Sequence, residues 1–158
     1  MSRKKQPLVV RVPVSGARHL VYNDDARVIA WASEHIGQGE YWPQDTVSIG
    51  LERDGRLLAA ALFNSFSGAA CQGHIASDGS RAWATRDVLA AVFAFPFVQS
   101  ECQRITAPIA ASNKPSLILA IKLGFVPEGR MERALPDDDL AVLVMFKERC
   151  PWLPRVEG

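Results

Sequence analysis

The stretch Asn113-Lys-Pro-Ser-Leu-Ile-Leu-Ala-Ile-Lys-Leu-Gly-Phe125 decides how the rest of the chain is read. Asn113 is a residue type that caps helices by accepting from the orphan amides of the first turn. Pro115 falls in that first turn, where its missing N–H removes no bond. Leu117, Ile118 and Ile121 make an apolar face, Lys122 sits in the last turn, and Gly124 takes the C′ position. Both ends of the helix are thus written into the sequence. Strands flank it. Arg104–Ala111 reads as a strand with an irregularity at Pro108, and Phe125–Leu135 with Leu140–Phe146 as a final pair around the turn Pro136–Asp139.

Upstream, Thr85 is a capping residue with Asp87 in the first turn that follows. Val88, Leu89, Val92 and Phe93 carry the helical period, and Pro96 must kink or end it. Ala70–Ser77 is a strand closed by Asp78-Gly79-Ser80. Thr46–Arg53 and Arg56–Phe66 are two strands joined at Asp54-Gly55, a hairpin signal, with Ser67-Gly68 as the next turn. Asp24 and Asp25 open a helix with Val28, Ile29, Ala32 and Ile36 on one face and Gly37 at its end. Gly37–Asp45 is a loop, and residues 8–14 read as a first strand, at an edge because of Pro13. Cys150–Leu153 is a short tail with a buried Trp152. The order β, α, β, β, β, α, β, α, β, β points to an α/β or α+β domain.

The chain has 158 residues with 18 Lys plus Arg against 17 Asp plus Glu, a formal charge of +1. That length suits a single domain, 1–158 with its core at about 8–147, large enough to fold without staples. Near-neutrality argues against nucleic-acid binding through non-specific phosphate contacts, and Arg3–Lys4–Lys5 reads as a solvated tail. The longest apolar runs, Leu57–Phe63 and Val88–Phe95, are too short to span a membrane. Cys71, Cys102 and Cys150 share no Cys-x-x-Cys spacing and read as reduced thiols in a cytoplasmic protein. His19, His35 and His74 have no metal-ligand spacing.

The capped helix, its Leu-Gly-Phe exit, the continuation Val126-Pro127-Glu128-Gly129 and the element order together resemble the GCN5-related N-acetyltransferase (GNAT) family. Trp83-x-Thr85-Arg86 with Phe93–Gln99 is similar to a phage and prophage subset of that family. The resemblance implies a mixed, mostly antiparallel central sheet of six to seven strands with a splayed parallel pair, flanked by helices. It also implies acetyl-CoA as cofactor and a small-molecule or peptide amine as acceptor. Its expected cofactor-binding residues are Ile75, Ala76, Ser77, Arg81, Ala82, Trp83, Ala84, Thr85, Arg86, Asn113 and Ser116. The family's Gly-x-Gly/Ala diphosphate loop is not present as such: Ala84 and Arg86 stand where the glycines would be, and Arg81 or Arg86 would add charge.

Two catalytic candidates follow. His74 lies on the strand before the loop, where a neutral imidazole would suit a base; a packed or exposed His on the other face is the competing reading. Glu40, beside Tyr41 and Trp42, would attract a cationic amine, against a plain surface loop with an aromatic anchor. Asn113 is read as a cap, a ligand contact, or both, and Ser116 as a cofactor contact or a helix-surface residue. The family's thiolate-protonating Tyr is replaced by Ala120. Asp137-Asp138-Asp139 reads as a solvated turn and Cys71 as a small buried hydrophobe. Phe93, Phe95 and Phe97 are core, or a patch for a homodimer. A catalytically degenerate binding module and a nucleobase-directed enzyme are the alternative functions.

Overall fold

Alternating and fully apolar strand segments, separated by turns that force the chain back, build one sheet. The computed structural model describes Val14, residues 17–36 and residues 41–154. Among these, strands β1 (Arg18–Tyr22), β2 (Val47–Arg53), β3 (Arg56–Asn64), β4 (Ala70–Ser77), β5 (Arg104–Ala110), β6 (Val126–Leu135) and β7 (Asp138–Phe146) lie in the order β1-β2-β3-β4-β5-β7-β6. Every neighbouring pair is antiparallel except β4 with β5. The expected sheet, with its one parallel pair, is the observed one. No helix among the described residues is long and apolar enough to cross a membrane.

Helices cover both faces. Helix α1 (Asp25–Ile36) packs Val28 and Ala32 on Leu57, Ala60, Leu62 and Ala76. Helices α2 (Arg86–Ala94) and α3 (Lys114–Leu123) cover the other face, over Ile49, Leu51, Phe63, Ile105 and Met145. The central strands are therefore apolar on both sides. Phe93, Phe95 and Phe97 are 1%, 2% and 0% exposed, so they are core and offer no patch to a second copy.

Several boundaries differ from the sequence expectation. The strand expected at 8–14 lies outside the described residues apart from Val14, which is not in a strand; the first described strand is Arg18–Tyr22. β3 stops at Asn64, because Ser65 takes a left-handed backbone (φ 55°) with its amide on the Asp45 carboxylate. As expected, the α-helix ends before Pro96; a π-helical turn, Phe95–Gln99, follows, with Phe95, Pro96 and Phe97 buried. The last turn is only Pro136-Asp137, since a left-handed Asp137 (φ 58°) lets Leu135 face Asp138 directly. On α3 the expected apolar face is rotated: Ala120 and Leu123 are buried, while Ile118 and Ile121 are 54% and 52% exposed.

The α3 caps behave as the sequence implies. Asn113 Oδ1 accepts from the Ser116 amide at 3.3 Å, and Gly124 ends the helix at φ 112°. A Cβ at Gly124 would also stand 3.3 Å from Pro151 Cδ and 3.4 Å from Met145 Cε. Gly124→Ala is therefore expected to cost about 1–2 kcal/mol, combining backbone strain and crowding. Urea denaturation measures it; an unchanged midpoint refutes it.

Candidate active site

The parallel pair holds for three residues only. Ala70, Cys71 and Gln72 pair with Arg104, Ile105 and Thr106, and then the strands part. Two sequence features sit at the divergence. Gly73 has no side chain, and a Cβ there would meet Ile105 Cγ2 at 3.0 Å and Phe63 Cε1 at 3.3 Å. Pro108 has no N–H to offer a ladder and sits where β5 has become an edge on its β4 side. From Gly73 onward β4 keeps β3 as its partner on one side and has none among the described residues on the other.

The parting opens a cleft of about 880 Å³. Gly73, His74 and Ile75 form one wall and Ala107–Ala110 the other. Val92 and Phe93 of α2, with Leu119, Ala120 and Leu123 of α3, close it behind. Asn113 and Ser116 at the start of α3 bring polar groups to it, and Ile36, Tyr41, Leu135, Pro136 and Asp138 also line it. The walls are apolar and the polar groups few, the usual character of a small-molecule site.

His74 lines the cleft and meets Trp42 edge-to-face, with ring centroids 5.0 Å apart. Burial lowers its pKa from the ordinary 6.5 to about 4, so the ring is neutral at pH 7, an acceptor with little appetite for a proton. Glu40 lies outside the described residues. Tyr41, far from α3 in sequence, lines the same cleft as Ala120 and is 89% exposed.

The expected cofactor residues divide into two groups. Ile75, Asn113 and Ser116 line the cleft. The others do not. Ala76 is buried under α1, on the opposite side of β4 from Ile75. Trp83 is 4% exposed, and its indole is a core anchor over Leu51, Ala59 and Val88. The Ala84 and Thr85 amides donate to Arg81 O (3.1 Å) and Trp83 O (2.8 Å). Thr85 occupies the N-cap position, but its hydroxyl donates to Asp87 and does not cap. Arg86 turns to the tail, donating to Pro151 O at 3.3 Å and stacking on Trp152, while Arg81 is exposed with Ala82 beside it. Ser77 Oγ accepts from the Gly79 amide at 3.2 Å.

Sequence reading missed Arg18. Its guanidinium, 9% exposed, donates to Ala82 O (3.2 Å), Thr85 Oγ1 (3.0 Å) and Asp87 Oδ2 (3.4 Å), clasping the loop ahead of α2. No local motif announces this, because Arg18 and Asp87 are 69 positions apart. Two of the three acids of the last turn are spent locally. Asp138 accepts from Ser112 Oγ at 2.6 Å, and Asp139 pairs with Arg130 Nε at 2.8 Å. No group of acids, histidines and cysteines among the described residues could hold a metal. Cys71 is buried, and its thiol pKa is pushed far up by the hydrogen bond it shares with Cys102 and by burial.

No family model matches the sequence, and no curated protein matches it. Solved structures do. A mutant of the spermidine N-acetyltransferase SpeG from Vibrio cholerae matches with TM-score 0.70 at 13% identity, over 84% of this chain and 95% of that one. The same enzyme in complex with CoA and spermine matches at 0.66 and 13%, over 84% and 97%. yncA, a putative acetyltransferase from Salmonella typhimurium with its cofactor acetyl-CoA, matches at 0.63 and 16%, over 84% and 95%. The chain therefore has the GNAT fold that these proteins share.

The His74 environment predicts an acid-sensitive fold. The unfolded chain binds this proton near pH 6.5 and the native state only near 4, so stability is full above 6.5 and falls as the pH drops towards 4. The loss is up to about 3 kcal/mol. Urea titrations across that window should show the slope in the native protein and a shallower one in His74→Gln; equal slopes count against a buried neutral His74.

Proposed function

We propose that the protein is an N-acetyltransferase that moves the acetyl group of acetyl-CoA to an amine by direct attack in the β4–β5 cleft. The observation that carries this reading is the parting of β4 from β5 after Gln72, which leaves an unpaired strand edge facing a deep apolar cleft. Such an edge offers main-chain donors and acceptors to the amides of an extended pantetheine arm. Asn113 and Ser116 add polar contacts from the opposite wall. The neighbours' use of acetyl-CoA or CoA supports the choice of donor.

In this reading the amine lone pair attacks the thioester carbonyl, the C–N bond forms, and the C–S bond breaks. The cleft contributes chiefly by holding the two reactants together. His74 accepts a hydrogen bond from the attacking nitrogen. With its basicity depressed, it orients the amine more than it stores the proton. Glu40 is proposed to attract the amine. With Ala120 in place of a tyrosine, the departing thiolate takes its proton from water at the mouth, and the proton lost by the acylated nitrogen returns to that water, so no net proton is gained or lost. The acceptor is proposed as a small-molecule or peptide amine. The polyamine specificity of the SpeG neighbours is not carried over, because the residues lining the cleft are mostly apolar. The residues behind the phage-like similarity, Trp83 and the three phenylalanines, are core and say nothing of a nucleobase acceptor.

Release of free CoA from acetyl-CoA, followed with a thiol reagent across a panel of amines, tests the reading. Amine-dependent release is expected. His74→Ala should lower kcat about tenfold to a hundredfold with cofactor binding retained. The rate should climb with pH towards the acceptor's own pKa with no inflection near 6.5. Absence of both release and acetyl-CoA binding at millimolar cofactor would leave a second reading, a degenerate binding module, which Ala120 and the altered diphosphate loop favour.

A further inference from the structure

The positive end of α2 already holds an anion of the protein's own. Asp87 Oδ1 accepts from the Val88 amide at 2.9 Å and from the Thr85 hydroxyl, and Oδ2 faces Arg18 at 3.4 Å. The preceding turn repeats the arrangement, with Asp78 Oδ1 accepting from the Ser80 amide (2.9 Å) and hydroxyl (2.7 Å). The Gly79, Ala84 and Thr85 amides are spent within the loop as well. Its cations are spoken for in the same way: Arg18 by the clasp, Arg86 by Pro151 and Trp152. Arg81 is left as an exposed, screened charge. Residues 77–87 hold two arginines and two aspartates, for no net charge.

A diphosphate placed at the start of α2 would meet the Asp87 carboxylate and displace bonds already made. The cleft beside it makes no such demand. We infer that the protein recognises its acyl donor by the pantetheine thioester arm and not by the diphosphate, so that an acyl-pantetheine lacking the nucleotide serves as well as acetyl-CoA. This rests on the acetyltransferase reading and narrows its donor to a class, thioesters of a pantetheine-like arm. The chemistry is unchanged: the amine gains the acetyl group, the C–S bond breaks, and pantetheine thiol leaves in place of CoA.

Calorimetry with CoA, pantetheine and adenosine bisphosphate tests it on the full chain. The expected result is a Kd for pantetheine within about threefold of that for CoA, with no competition by the nucleotide end. A preference for CoA above about tenfold, with the nucleotide competing, overturns the inference and leaves the acetyltransferase reading standing. Binding of neither CoA nor pantetheine overturns both. Asp87→Asn, confirmed folded by its melting curve, removes the resident anion. It should tighten CoA at least about threefold relative to pantetheine. An unchanged ratio in that variant also overturns the inference.

Discussion

The structure turns on a ladder that stops. β4 and β5 share three residue pairs, and everything that makes a site follows from their separation afterwards. A parallel pair between two antiparallel blocks is normally buried and continuous. Here the approach of Ile105 and Phe63 to Gly73 holds the strands tightly together at one end. Pro108 is tolerated in mid-strand because β5 has no β4 partner there. The result is an exposed sheet edge inside the molecule, lined by aliphatic side chains and reached from the solvent past Tyr41 and Pro136.

The blocks on either side of the cleft are fastened independently. On one, α1 and the hairpin β2–β3 enclose Val28, Ala32 and Leu62. On the other, Glu128, the extra residue of a bulge in β6, reaches across to Arg104 at 3.1 Å and ties the outer hairpin to β5. Trp152 Nε1 donates to Leu123 O at 2.8 Å, fastening the tail to the end of α3. Each block is thus tied within itself, and the cleft lies between them.

Electrostatics near the cleft are quenched locally. Asp78, Asp87, Asp138 and Asp139 each take bonds from neighbouring amides, hydroxyls or arginines. His74 is kept neutral by burial. The near-zero net charge of the chain is thus mirrored at short range. Low identity to structures of the same fold is compatible with this cleft, because an apolar wall and a strand edge constrain residue class and not residue identity.

Features that depend on neighbours in sequence were legible from the sequence. The α3 caps at Asn113 and Gly124, the Asp54-Gly55 hairpin, the bounds of β4 and the element order from α1 onward are set by local backbone chemistry. The competing choices at a turn or a helix end differ there by a kcal/mol or more. What depends on side chains meeting across the fold was not. The outward turn of Ile118 and Ile121, the burial of Trp83 and Ala76, and the turning of Arg86 onto Trp152 were set by which surface each element found to pack against. The Arg18–Asp87 clasp and the presence of Tyr41 at the cleft belong with them. Periodicity says that a helix has an apolar face, but burial chooses the face, and only the assembled sheet defines what is buried.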